Sequence, residues 1–125
     1  MSENELSRLV MDSAIKVHRK LGPGLLESAY EECLYYELRK HNLFVEKQKP
    51  LPLIYEEVKL EVGYRIDLMV NSKVIIEVKS VETIMDIHLA QVLTYLRLSD
   101  CKLGLLINFN VMLVKDGFRR VVNNL

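Results

Sequence analysis

Apolar residues recur every three or four positions through residues 3–20, at Leu6, Leu9, Val10, Ala14 and Val17, and again at Leu21. That spacing predicts an amphipathic helix. Ser2, with Glu5 three residues on, predicts a capping box at its start. Gly22-Pro23-Gly24 must break it. A second helical pattern covers residues 25–41, with Leu26, Tyr30, Cys33, Leu34 and Leu38 inward and Asn42 ending it. The period then shortens toward two. Residues 44–49 and 53–60 read as extended, and Pro50 and Pro52 limit their pairing to a sheet edge. Residues 64–70 and 73–80 read as short apolar strands. Residues 85–98 read as a third helix, and 102–108 as a nearly continuous apolar strand buried on both faces. A last strand or short helix covers residues 112–122. The order predicts one α/β sandwich in a single domain over residues 1–125.

The two central strands carry charged residues where apolar ones are expected: Arg65 and Asp67 in one, Glu77 and Lys79 in the other. Side chains alternate along a strand, so Ile66, Leu68 and Val70 share a face, as do Val74, Ile76 and Val78. A two-residue turn at Asn71-Ser72 would put Asp67 and Glu77 on opposite faces. A three-residue connection, Asn71-Ser72-Lys73, pairs Val70 with Val74 and Asp67 with Glu77, and gathers all six aliphatic residues onto one buried face. The odd connection is therefore expected. Two carboxylates held together on a sheet repel unless a cation or a proton lies between them. A hard divalent ion takes such oxygen ligands, and a lysine beside it can hold a water or offset charge on a phosphoryl oxygen.

Composition narrows the setting. A chain of 125 residues suffices for one domain with a real core. Half of its residues are hydrophobic and its mean hydropathy is +0.08, as in a folded protein. Seventeen Lys and Arg balance seventeen Asp and Glu, so nucleic-acid binding would need a local patch. Cys33 and Cys101 lack metal-ligand spacing and are expected to be reduced. The polar start, Met1-Ser2-Glu3-Asn4-Glu5, is unlike a signal peptide, and no apolar run reaches bilayer length; a cytoplasmic protein without membrane contact is expected.

Other residues admit two readings each. Glu27, in the first turn of the second helix, either complements the helix dipole or supplies a third acidic ligand. Tyr30 and Glu31 lie on the same side of that helix, Tyr30 reading as a core aromatic with a tied hydroxyl. His88, Gln91 and Tyr95 form one stripe of the third helix, either a satisfied boundary or a polar row facing the carboxylates. His18 reads either as an exposed histidine or as one that complements the C-terminal dipole of the first helix, with a metal-ligand role as the alternative. Lys115, Arg119 and Arg120 read either as a nucleic-acid contact or as ordinary surface cations, and no glycine-rich phosphate loop is present.

Gly24-Leu25-Leu26-Glu27-Ser28-Ala29-Tyr30 matches the signature of the GxxExxY protein family. The segments from His18 to Gly24, Arg65 to Leu68, Ile76 to Lys79, His88 to Leu96 and Gly104 to Asn110 also resemble that family, in order along nearly the whole chain. The family is grouped with the PD-(D/E)xK nuclease-like superfamily. The resemblance implies a mixed sheet flanked by helices. It makes Asp67 the first metal-binding acid, Glu77-Val78-Lys79 the (D/E)xK element and Glu27 a helical acid, with Gln91 and Tyr95 similar to a QxxxY element. Ile66 stands where the motif has proline, which removes no ligand.

The resulting expectation is a nuclease that hydrolyses phosphodiesters in DNA or RNA. Asp67, Glu77, the Val78 carbonyl and Glu27 would hold Mg²⁺ or Mn²⁺, Lys79 would act on water or phosphate, and Gln91, Tyr95, His88, Arg65 and Tyr30 would support the site. A homodimer spanning a duplex is compatible with this size. The rivals are a non-catalytic module binding nucleic acid or a protein partner, and a structural subunit whose Asp67, Glu77, Lys79 and Arg65 form a buried ion-pair network.

Overall fold

Ser2 starts the first helix as its spacing predicts: Ser2 Oγ accepts the Glu5 N–H and the Glu5 carboxylate accepts the Ser2 N–H, both at 3.1 Å. A computed structural model describes all residues, 1–125. The elements run α1 (Glu3–Leu21), α2 (Glu27–Arg39), β1 (Val45–Pro50), β2 (Leu53–Tyr55), β3 (Val58–Leu60), β4 (Arg65–Val70), β5 (Val74–Lys79), α3 (Asp86–Ser99), β6 (Leu103–Asn108), a 3-10 turn (Val114–Gly117) and β7 (Phe118–Val122). Five strands form one mixed sheet in the order β1-β4-β5-β6-β7. Only β5 and β6 run parallel, with α3 as their crossover. The chain is thus an α/β protein with helices on both faces of its sheet. No helix is long and apolar enough to cross a membrane.

Each face has its own core. Leu6, Val10, Ala14 and Val17 of α1 and Leu34 and Leu38 of α2 pack with Leu68, Val70, Val74, Ile76 and Val78. Val92, Tyr95 and Leu96 of α3 pack with Met69, Ile75 and Leu106 on the other face. β6 is buried along its whole length, as its unbroken apolar run predicts.

The β4–β5 connection is the odd one. Val70 pairs with Val74, Met69 with Ile75 and Leu68 with Ile76. Asn71 and Ser72 both take left-handed backbone, and the Lys73 N–H closes the turn on the Val70 carbonyl at 2.9 Å. The aliphatic face departs from expectation at one residue. Ile66 is fully buried, but with the α3 layer instead of its five partners. The ladder bond is lost at Asp67, which frees Ile66 from strict alternation.

Two further expectations are corrected. Residues 53–60 form no single extended stretch; β2 and β3 make a separate two-stranded ribbon, turned at Glu56 with φ 56°. His18 is buried, not exposed: its Nε2 lies 2.8 Å from the Val111 carbonyl and 3.2 Å from that of Phe109, tying α1 to the segment after β6.

Two buried glycines mark close approach. A Cβ at Gly104 would collide with the Val92 side chain, and one at Gly117 with the Asn108 carbonyl oxygen. A short side chain can yield slightly, whereas a carbonyl in the sheet cannot. Gly117→Ala should therefore cost about 3 kcal/mol and Gly104→Ala about 1–2 kcal/mol, as overpacking does. Urea unfolding of both variants checks the order; equal midpoints would contradict it.

Candidate functional site

Beyond the pairing of Leu68 with Ile76, strands β4 and β5 fork, and two carboxylates fill the fork. The Asp67 main-chain N–H donates to Glu77 Oε2 at 2.9 Å, and the Val78 N–H donates to Asp67 Oδ2 at 2.9 Å. Side chains thus replace the ladder bonds that the backbone gives up. A gap also opens on the β1 side. Lys47 pairs with Leu68 and Lys49 with Ile66, but Gln48, between them, has φ 49° and makes no ladder pair with Asp67. A non-glycine residue there carries local strain. The Gln48 amide instead bridges two acids, donating to Glu31 Oε1 at 2.8 Å and to Asp67 Oδ1 at 3.3 Å.

Glu31 is the acid that α2 brings to Asp67. It is buried, as is Glu77, while Asp67 is half-buried. Burial, and then the neighbouring charge of Asp67, pushes the Glu77 carboxyl up to about 8 and that of Glu31 up to about 7. Burial also raises Asp67, against the lowering effects of the Val78 N–H and the Lys79 charge. Three carboxyls whose proton affinity is raised form a place where positive charge is wanted.

Glu27 sits one helical turn before Glu31, exposed, with Oε2 accepting the Ser80 N–H at 2.9 Å. Ser80 Oγ donates to the Leu25 carbonyl at 2.8 Å, so the end of β5 is stitched to the start of α2. Tyr30 holds the same corner. Its hydroxyl donates to the Gly22 carbonyl and accepts the Leu25 N–H at 3.1 Å, and its ring stacks on Phe109 with centroids 4.5 Å apart. These contacts make Tyr30 a scaffold for the Gly-Pro-Gly break.

Lys79 extends from the end of β5 into the wall of a cleft of about 470 Å³. Gln91, Tyr95 and His88 line the opposing wall, so the stripe expected on α3 faces the same opening. His88 Nδ1 accepts the Met85 N–H at 3.0 Å and so caps α3. Tyr95 has its hydroxyl pKa raised by burial and by the charges of Glu77 and Asp67. Arg65 turns away, with Nη1 3.5 Å from the Gln48 carbonyl. None of the protein's five ion pairs involves Asp67, Glu77, Lys79 or Arg65, so the buried ion-pair network is not formed.

Sequence reasoning passed over Glu31 and Gln48. Glu31 had a signal, four residues after Glu27 on the same helical side. Gln48 had none, because its place opposite Asp67 exists only once β1 and β4 pair.

A sequence model of the PD-(D/E)XK nuclease superfamily matches residues 4–121 of the chain. No curated protein and no solved structure matches it significantly.

Proposed function

The chain belongs to the PD-(D/E)XK nuclease superfamily, and from that premise we propose that it is a divalent-metal-dependent nuclease whose site lies in the β4–β5 fork. The observation that carries this reading is the pair of carboxylates in the fork, Asp67 and Glu77, with Glu31 joined to Asp67 through the Gln48 amide and no cation paired to any of the three. Main-chain N–H groups occupy Asp67 Oδ2 and Glu77 Oε2; Glu77 Oε1 has no partner and Asp67 Oδ1 has only the 3.3 Å contact with the Gln48 amide, so these two are the hard oxygen donors open to Mg²⁺ or Mn²⁺. No three acidic, histidine or cysteine side chains close on one point. The remaining positions would go to the Val78 carbonyl, water and substrate oxygens, with Glu31 or Glu27 joining through water.

A bound ion would supply Lewis acidity and a water activated at neutral pH. The protein's own residues do the rest. The Gln48 amide and the Val78 N–H fix the Asp67 carboxylate, so the site needs little reorganisation. Lys79, whose ammonium makes no hydrogen bond or ion pair, orients the attacking water or offsets charge on the phosphoryl oxygens. Gln91 and Tyr95 shape the facing wall. All of this is expected within one domain over residues 1–125.

Calorimetric titration of Mn²⁺ tests the site without a guess at the substrate. The wild-type chain should bind, and Asp67→Asn and Glu77→Gln should each lose binding by about tenfold or more, as metal sites do when their ligand shells are altered. No heat of binding at millimolar Mn²⁺ would count against the reading. The alternative, a non-catalytic module binding nucleic acid or a protein, draws on the exposed apolar ribbon of Ile54, Tyr55 and Val58. It expects an electrophoretic shift with nucleic acid and no cleavage under any metal.

A further inference from the structure

The cleft beside Lys79 holds more than a phosphate needs. Its sides are apolar, with Leu53 and Leu98 among them, and Tyr64, 44% exposed, presents its ring there. The Tyr64 and Tyr95 ring centroids stand 6.2 Å apart at 58°, so the two rings form a corner and leave the Tyr64 ring uncovered by stacking. The side-chain hydrogen bonds of α3 are those of His88 with the Met85 N–H and of Ser99 with the Tyr95 and Leu96 carbonyls. The Gln91 amide and the Tyr95 hydroxyl therefore have no partner within the protein, yet both line the cleft. A half-buried amide with both donor and acceptor unused suits a ligand that offers both.

We propose that this cleft is a nucleobase pocket that takes one unpaired base next to the scissile phosphate, making single-stranded or end-frayed nucleic acid the substrate. The proposal rests on the nuclease reading for the phosphate, but the pocket stands on its own geometry. A flat ring seats against Tyr64, its donor–acceptor edge meets Gln91, and the attached phosphate lies toward Lys79. The cleft's volume is within the range of small-ligand pockets.

Charge points the same way. The chain has zero net charge, three acids crowd the fork, and Lys79 is the one cation in the cleft wall. Affinity for a phosphate backbone grows with the number of phosphates that cations neutralise. Here that contribution is small, so binding must come from a base face, which gives sequence-tolerant affinity by stacking. Bases in a duplex are stacked on both faces and paired along their edges, and reaching one requires its extrusion. An unpaired nucleotide avoids that cost.

The test compares binding of short single strands, DNA and RNA, with the same sugar-phosphate backbone lacking bases, and with a blunt duplex. Fluorescence anisotropy is read in Ca²⁺, so that binding is measured without turnover. The wild-type chain should bind either single strand about tenfold or more tighter than the abasic backbone or the duplex. Tyr64→Ala should remove that preference, binding base-bearing and abasic strands alike. Thr94→Gln, an exposed position of α3 whose longer side chain fills part of the pocket, should do the same without touching either ring. Equal binding of abasic and base-bearing strands by the wild type would overturn the proposal, as would a duplex preference, no binding at all, or a base preference kept in both variants. Mn²⁺ calorimetry on the same preparations separates the two readings. Mn²⁺ binding and cleavage without a base preference remove the pocket alone. A base preference that needs Tyr64, without Mn²⁺ binding, supports the pocket and removes the nuclease.

Discussion

Lys79→Ala is expected to lower cleavage by about a thousandfold or more while leaving Mn²⁺ binding nearly intact. A positioned charge aimed at a reacting oxygen contributes on the order of 10²–10³ to the rate, and a group that orients the nucleophile adds to that. Lys79 is placed to do either, at the end of β5 two residues past Glu77 and in the wall of the cleft. Metal affinity should survive because two consequences of the substitution offset each other. The Lys79 charge holds the Asp67 and Glu77 carboxyls lower, so its loss makes them hold protons more tightly. The same loss removes a positive charge that repels an incoming cation. Stability should change little, since the ammonium has no partner to lose. Single-turnover cleavage with Mn²⁺, read beside calorimetry, decides the matter. Cleavage within about tenfold of wild type would be too small a loss for a transition-state role. A parallel collapse of metal binding would make Lys79 a structural part of the site instead.

Arg65 supplies the contrast. It shares strand β4 with Asp67, but its guanidinium faces the Gln48 carbonyl and is exposed. From the sequence, Lys79 is expected in the catalytic role and Arg65 in a supporting one. The direction in which each side chain leaves its strand separates them.

What could be read in advance follows the range of the interactions that decide it. The register of β4 on β5 was legible because alternation of Ile66, Leu68, Val70, Val74, Ile76 and Val78 admits one parity with a buried face, and only the three-residue connection satisfies it. The helices were legible from stripes at helical spacing, with local stops at Gly22-Pro23-Gly24 and Asn42 for the first two, although Leu26, read as inward, is exposed at the N-cap of α2. The helical acid was harder. Glu27 and Glu31 lie one turn apart on one face, and which reaches Asp67 depends on where α2 crosses the sheet. His18 could not be placed, because its partners lie 91 and 93 residues on. Gln48 is the sharpest case. Its left-handed backbone has no glycine or asparagine to announce it, and its bridging role appears only with β1 seated beside β4. The ribbon of β2 and β3 was missed similarly, since Glu56-Glu57 lacks the usual residues of a tight turn.

Without metal, the protein should become less stable as pH rises from about 5 to about 8, and Glu77→Gln should remove roughly half of that slope, leaving the part due to Glu31. The sign follows from the direction of the shift. Glu77 moves from an ordinary 4.5 up to about 8 on folding, so in this range the native state binds a proton that the unfolded chain has released. Its stabilising contribution is fully present below the unfolded value and is lost as pH rises through the folded one. At about 1.4 kcal/mol per pH unit, the loss is on the order of 4 kcal/mol, or about 10 °C or more in Tm for a domain of this size. Glu31, raised to about 7, and Asp67 act in the same direction. The groups that shift otherwise lie outside this window: Glu5 and Glu37 are lowered from 4.5, and Lys40 and Lys47 are raised from 10.5. Mn²⁺ should offset part of the trend, because a cation at the fork does at high pH what protons do at low pH. Its stabilisation should therefore grow with pH, reaching about 2.7 kcal/mol at a hundredfold excess over Kd. Glu77→Gln should be more stable than wild type in EDTA at pH 8 and indifferent to Mn²⁺. Thermal unfolding at four or five pH values, with EDTA and with Mn²⁺, measures all of this. A wild-type Tm in EDTA that stays level or rises toward pH 8 would mean that the fork is not starved of positive charge, and the argument for a metal there would lose its footing.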